Sequence, residues 1–331
     1  MEMIAHREGT GQLPGALQPA VPPAIRAAAF DAEDAEREKL MPTEMEHLDK
    51  HRTQVRTQSG PASYVDTGGP GRPVLFVHGL ATSSYLWRHV IEQLDGQRRC
   101  VAVDLPLHGQ TPAAADQDFS LPGLARFVAD FCDALELTGI DLVGNDTGGA
   151  ICQAFAACYP ERLNTLTLTN CEAHNNLPPK GLAAAVLLCR TGLWARIMPT
   201  LLLRDISRGR NRMYGTGYQD IASLPLDIAR AWLEPLFGTA ELARQNERIL
   251  PSLHARDLLA IEPALARLQV PTLIVWGTGD KFFPRTWAHW LRDTIPGADK
   301  VVEIDGARLF FPDERAAELT AALRRHWDDH S

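Results

Sequence analysis

The sequence lacks an apolar run long enough to cross a bilayer. The clearest, GLAAAVLL from Gly181, is far shorter than the roughly 20 residues a spanning helix needs. The first residues, MEMIAHREGTGQLPG, have no apolar core of the kind a secretory signal carries. Six cysteines, at positions 100, 132, 152, 158, 171 and 189, form no CxxC pair and no metal-ligand spacing, so buried free thiols in a reducing compartment are expected. No Lys or Arg cluster dominates, and 33 basic against 41 acidic residues give a formal charge of -8. That balance argues against broad attraction to nucleic acid or anionic lipid. Internal repeats are absent, and no metal or organic cofactor has a visible site. The expectation is a soluble, cytoplasmic protein whose partner is a small molecule, with no nucleic acid and no membrane; a homodimer is left open.

What is present is an ordinary globular composition, 45% hydrophobic and 22% charged over 331 residues, enough to bury a large core. Residues 1–51 divide into a Gly/Pro/Gln-rich start and the helix-forming stretch AIRAAAFDAEDAEREKL, an amino-terminal extension read as a docked helix, a dimer contact or a partly disordered arm. From 52 the short runs TQVRT and ASYVDTG give way to the apolar VLFVHG, the pattern of a buried central strand. Strand and helix patterns then alternate through CVAVDLP, LPGLARFVADFCDAL, IDLVG, GGAICQAFAACYP and LNTLTLTN, which predicts an α/β fold with a mostly parallel, doubly wound sheet. Residues 172–265 break the rhythm with helical segments and read as an inserted cap. The core, 52–171, resumes over 266–331 with PTLIVWG and KVVEI.

Chemistry concentrates at Gly144-Asn145-Asp146-Thr147-Gly148, which follows a strand and opens an apolar helix. Small residues at 144 and 148 suit a nucleophile elbow, where a strained strand-to-helix turn exposes the central side chain, here Asp146. The spacing fits neither the dinucleotide-binding nor the P-loop pattern of phosphate cradle.

With that motif the chain resembles the α/β-hydrolase superfamily over about residues 52 to 327, and within it the haloalkane dehalogenase and epoxide hydrolase branch, whose nucleophile is Asp. The segment from His78 through Arg88 is similar to that branch's oxyanion-loop segment. The segment from Asp104 through Thr111 resembles its Asp-x-Pro-Gly-x-Gly-x-Ser turn, with Leu107 in place of Gly. The resemblance implies covalent catalysis, in which Asp146 opens an epoxide or displaces a halide and a His-activated water hydrolyses the ester. It also implies an oxyanion hole from the N-H groups of Leu80 and Thr147, and an acid at Asp280 or, alternatively, Glu172. The plain reading of either carboxylate is a helix cap or a surface group.

The departures redirect the expectation. Where the family carries a segment like Gly-x-His-Phe-x-x-x-Glu, this chain has Gly306-Ala307-Arg308-Leu309-Phe310, and no histidine lies between His289 and His326. Leu309 therefore occupies the histidine position, and without an imidazole the ester would hydrolyse slowly. His174 is the candidate substitute base. Leu80 and Thr147 also replace the Asn or Trp donors that grip a halide. Tyr214 and Tyr218 are candidates for protonating an opening oxygen, and Arg308 for holding a carboxylate or binding an anionic or carbonyl substrate. His78 and His108 read as loop-stabilising. Trp194, Met198, Met213, Trp232 and Phe237, with Phe282 and Phe283, are expected to wall an apolar pocket for a hydrophobic substrate. Three readings follow: a hydrolase by family default; a non-hydrolytic catalyst of cyclisation, C-C bond formation or lyase type in specialised metabolism; or a non-catalytic receptor or scaffold.

Overall fold

A computed structural model describes residues 44–207, 209 and 212–330. Most of the amino-terminal extension expected over residues 1–51 lies outside the described residues. An eight-stranded sheet runs in the order β1-β2-β4-β3-β5-β6-β7-β8. The strands are β1 Arg52–Thr57, β2 Gly60–Asp66, β3 Pro73–Val77, β4 Arg99–Val103, β5 Ile140–Asn145, β6 Leu163–Thr169, β7 Thr272–Gly277 and β8 Ala298–Ile304.

β1 and β2 form an antiparallel hairpin, and β2 meets β4 antiparallel, so only the six strands from β4 to β8 run parallel. The apolar content of each strand follows its place. Every residue of β5 and β7 is buried, as strands covered on both faces require, whereas the edge strand β1 alternates with polar residues at its surface.

The helix Thr147–Cys158 follows β5 directly and is buried along most of its length, because its first residues are small enough to touch the sheet. A Cβ on Gly148 would stand 2.2 Å from the carbonyl oxygen of Val77, so only glycine lets the helix start lie against β3. The hairpin is tied down by Arg52, which bonds Asp49, Ser84 and, at 2.7 Å, the buried Asp104 at the end of β4.

Between β6 and β7 the chain inserts a run of helices from Ala183–Arg190 to Ala255–Leu265 and no strand among the described residues. No single helix among the described residues is long and apolar enough to cross a membrane. All six cysteines are free thiols; five are buried as expected, but Cys158, at the carboxyl end of its helix, is exposed.

Candidate active site

Parallel strands end on one edge of the sheet, and β5 delivers Asp146 there with φ 55° and ψ -137°. This left-handed backbone on a non-glycine residue costs on the order of 1 to 3 kcal/mol and lifts the side chain clear of both strand and helix. Gly79 presses against Asp146, since a Cβ there would lie 2.3 Å from both its Cβ and its Oδ2. The backbone N-H of Leu80 donates to Asp146 Oδ2 at 3.0 Å, and that of Thr147 donates to the same carboxyl group. Both donors expected for an oxyanion hole therefore converge on Asp146 itself.

A second carboxyl stands beside it. Glu172, just past β6, is buried; its Oε1 accepts from the Thr147 hydroxyl at 2.8 Å, while its Oε2 is sealed from solvent without a hydrogen-bond partner. Burial, then the neighbouring Glu172, pushes the Asp146 carboxyl well above the usual carboxylate range. Burial pushes Glu172 up to about 7, opposed by the Thr147 hydroxyl, which favours the charged form. The two titrate as a unit, and both are shifted toward the protonated form.

Asp280 contributes from further off. Its Oδ2 accepts from Asn170 Nδ2 at 2.5 Å and its Oδ1 from the N-H groups of Phe282 and Phe283, so it caps the turn after β7 and does not line the cavity. Burial raises it above the usual range as well. Of the two candidate acids, the structure brings Glu172, not the first-ranked Asp280, into the cavity wall with Asp146.

That cavity encloses about 940 Å³ of atom-free space, counted out to its open mouth. The sheet side supplies Leu80, Asp146, Thr147, Glu172 and Leu309, and the helical insertion supplies Trp194, Met213, Tyr214, Leu236 and Phe237. Phe282, Phe283 and Phe310 complete an aromatic wall.

Several expected site residues point elsewhere. His174 turns away from the cavity; its Nδ1 pairs with Glu262 and its ring packs against Trp287 and Trp290, so it does not replace the missing imidazole beside Asp146. Arg308 is spent on the carbonyl oxygens of Gly215 and Tyr218, joining the post-β8 loop to the insertion, and reaches neither Asp146 nor Asp280. Tyr218 donates to Asp313 at 2.7 Å, and Asp313 pairs with buried Arg88. Tyr214 lines the cavity, but its hydroxyl donates to the Ala81 carbonyl. Trp232 packs in the core against Tyr214 and Phe310 and does not line the cavity, nor does Met198.

His108 is the only histidine among the described residues in the cavity wall. Its Nδ1 bonds the Pro106 carbonyl and its Nε2 accepts the Ala81 N-H at 3.2 Å, which fixes the neutral tautomer and occupies the lone pair a base would use. Burial, then the neighbouring His78, depresses it to about 3. His78 is held in the same manner by the Gly79 carbonyl and the Leu105 N-H.

The sequence over residues 72–315 matches the model of the alpha/beta hydrolase fold. The chain belongs to the α/β-hydrolase fold family. Among curated members of that family, it is 40% identical over 98 residues to a haloalkane dehalogenase of Agrobacterium fabrum, a match covering 30% of this chain and 32% of that protein. The chain thus spans about a third of that relative's length. Haloalkane dehalogenase 2 of Mycobacterium tuberculosis is 28% identical over 295 residues, 86% of this chain and 95% of the relative. The cis-3-alkyl-4-alkyloxetan-2-one decarboxylase of Shewanella oneidensis is 28% identical over 245 residues, 70% and 74% respectively. Among solved α/β-hydrolase structures, the haloalkane dehalogenase DatA of Agrobacterium tumefaciens superposes with a TM-score of 0.72 at 22% identity, covering 85% of this chain and 97% of that one. The named relatives are enzymes, chiefly of hydrolase type.

Two features of this α/β-hydrolase site carry no sequence signal strong enough to find them. Asn145 Nδ2 donates to the Leu309 carbonyl at 3.1 Å, and the insertion residues Pro178, Asn246, Ile249 and Leu250 join the cavity wall. The spacing of Trp194 and Asn246 gives no hint that the indole N-H bonds the amide oxygen. Among the described residues no group of three or more His, Cys, Asp or Glu is placed to hold a metal.

Proposed function

We propose that this chain is an α/β-hydrolase-fold enzyme that transforms a hydrophobic small molecule with the Asp146–Glu172 carboxyl pair, without an imidazole-activated water. The observation that carries this reading is the state of the cavity's one described histidine: the Nε2 of His108 is already an acceptor for Ala81, and Leu309 fills the place where the resemblance puts a histidine. Asp146, fixed by two N-H donors, serves as nucleophile or proton acceptor. Glu172, poised near pH 7, gives or takes the balancing proton. Ring formation, elimination and decarboxylation can use such a pair in a shaped apolar pocket without an attacking water. The decarboxylase among the relatives lends this reading its support.

Family-default hydrolysis is the second reading, favoured by the dehalogenase and epoxide hydrolase names among the relatives. Intact-mass measurement after incubation with a 1-haloalkane and a terminal epoxide separates the two. A persistent ester adduct on Asp146 with little product agrees with a carboxylate that attacks without water activation. Multiple turnovers without adduct would establish hydrolysis and overturn the proposal.

A further inference from the structure

The cavity wall holds one buried carboxyl group, Glu172, and a partly exposed one, Asp146, with no Lys or Arg among the described residues that line it. A buried carboxylate is stable only with a proton, a donor or a cation beside it, and the Oε2 of Glu172 has no hydrogen-bond partner at all. Asp146 is different: its Oδ2 already accepts from Leu80, so the unmet demand falls on Glu172. The same cavity is walled by six aromatic rings, those of Trp194, Tyr214, Phe237, Phe282, Phe283 and Phe310. Aromatic faces attract a cation while offering an anion nothing, and they accept the apolar body attached to it.

We propose that the cavity selects hydrophobic amines, with the ligand's ammonium seated at the accessible Asp146 carboxyl, within the field of the buried Glu172, and its apolar part on the aromatic wall. The ligand brings the positive charge that the described part of the wall lacks. This rests on the carboxyl-pair reading above and narrows its substrate class to basic nitrogen compounds.

The groups that face this position fix how binding depends on pH. Glu172 loses its proton near 7, and Asp146 and Asp280 are raised in the same direction, so each becomes more receptive to a cation as pH rises. His108 stays neutral down to about 3, and the buried Cys171 thiol is pushed well above its ordinary range, so neither changes charge between pH 5.5 and 8. An alkyl ammonium stays charged across that interval.

The test uses the full chain with 4-phenylbutylamine, 4-phenylbutanol and 4-phenylbutyrate, followed by calorimetry at pH 5.5 and 8 in buffers of different ionisation enthalpy. Amine affinity is expected to rise at least tenfold between the two pH values, with proton release at the lower one. The alcohol should bind more weakly with no pH dependence, and the acid most weakly. Glu172→Gln should bring the amine close to the alcohol, and Asp146→Asn supplies a second neutral variant should the first fail to fold. Equal binding of amine and alcohol at pH 8, or no amine binding at millimolar concentration, overturns the inference. Loss of amine preference with the Asp146 ester still trapped overturns this inference alone; hydrolytic turnover with amine preference intact overturns only the proposed function.

Discussion

The hydroxyl of Thr147 donates to Oε1 of Glu172 at 2.8 Å, so the first residue of the elbow helix opposes the effect of burial on a carboxyl group 25 positions later. The bond favours the ionised form. Thr147→Val keeps the shape and removes the donor; the Glu172 midpoint should move upward from about 7, and stability at pH 8 should fall by about 1 to 3 kcal/mol. Carboxyl-selective NMR titration checks the first and urea unfolding the second.

Glu172 also predicts how stability follows pH. Its folded pKa lies above the unfolded value of 4.5, so the folded state holds a proton that the unfolded state has released. Stability contributed by that proton is complete below about 4.5 and is lost as pH rises through 7. A loss on the order of 3 kcal/mol is expected across the window, with Asp146 adding in the same direction. Glu172→Gln should flatten the slope and raise stability at pH 8, read by denaturant unfolding at pH 5, 6, 7 and 8.

Leu309→His places an imidazole in the wall that already holds Asp146 and Glu172. With that base supplied, an ester on Asp146 should become hydrolysable, and release of product from a 1-haloalkane or epoxide should rise at least tenfold over the parent chain. The decay of the adduct by mass spectrometry reports it directly.

Gly79→Ala puts a methyl group where Asp146 Cβ and Oδ2 already lie, 2.3 Å away. The carboxyl must leave its two N-H donors, so adduct formation should drop by at least 100-fold, with a stability loss of about 1 to 3 kcal/mol from overpacking. Adduct rate and thermal melting separate the two effects.

Tyr218→Phe removes only the hydroxyl bonded to Asp313 and should leave adduct formation on Asp146 within twofold. Asp313→Ala removes the carboxylate paired with the buried Arg88 and should cost about 3 to 5 kcal/mol. Thermal unfolding of both variants, beside their adduct rates, tests the assignment of this trio to the framework.

What could be read without coordinates was whatever sterics or chain order dictate. The elbow at Asp146 needs glycine at 148 because Val77 leaves no room, and the alternation of β3 to β7 with helices shows in the apolar runs of largely buried strands. The direction of a side chain on an irregular segment obeys no such rule. His174 and Arg308 both had sequence positions suited to the cavity, yet each found a stronger partner outside it, Glu262 for one and two carbonyl oxygens for the other. Trp232 was indistinguishable from Trp194 by composition, and only packing decides which one is core and which one is wall.

The bond from Asn145 to the Leu309 carbonyl secures the post-β8 loop through its main chain, with no contribution from the side chain at 309. Position 309 is in effect a socket: its main chain is held by Asn145 whatever the side chain, and a buried leucine fills it here. Water activation at this centre is then expected to turn on a single side chain, with the loop that carries it held in place either way.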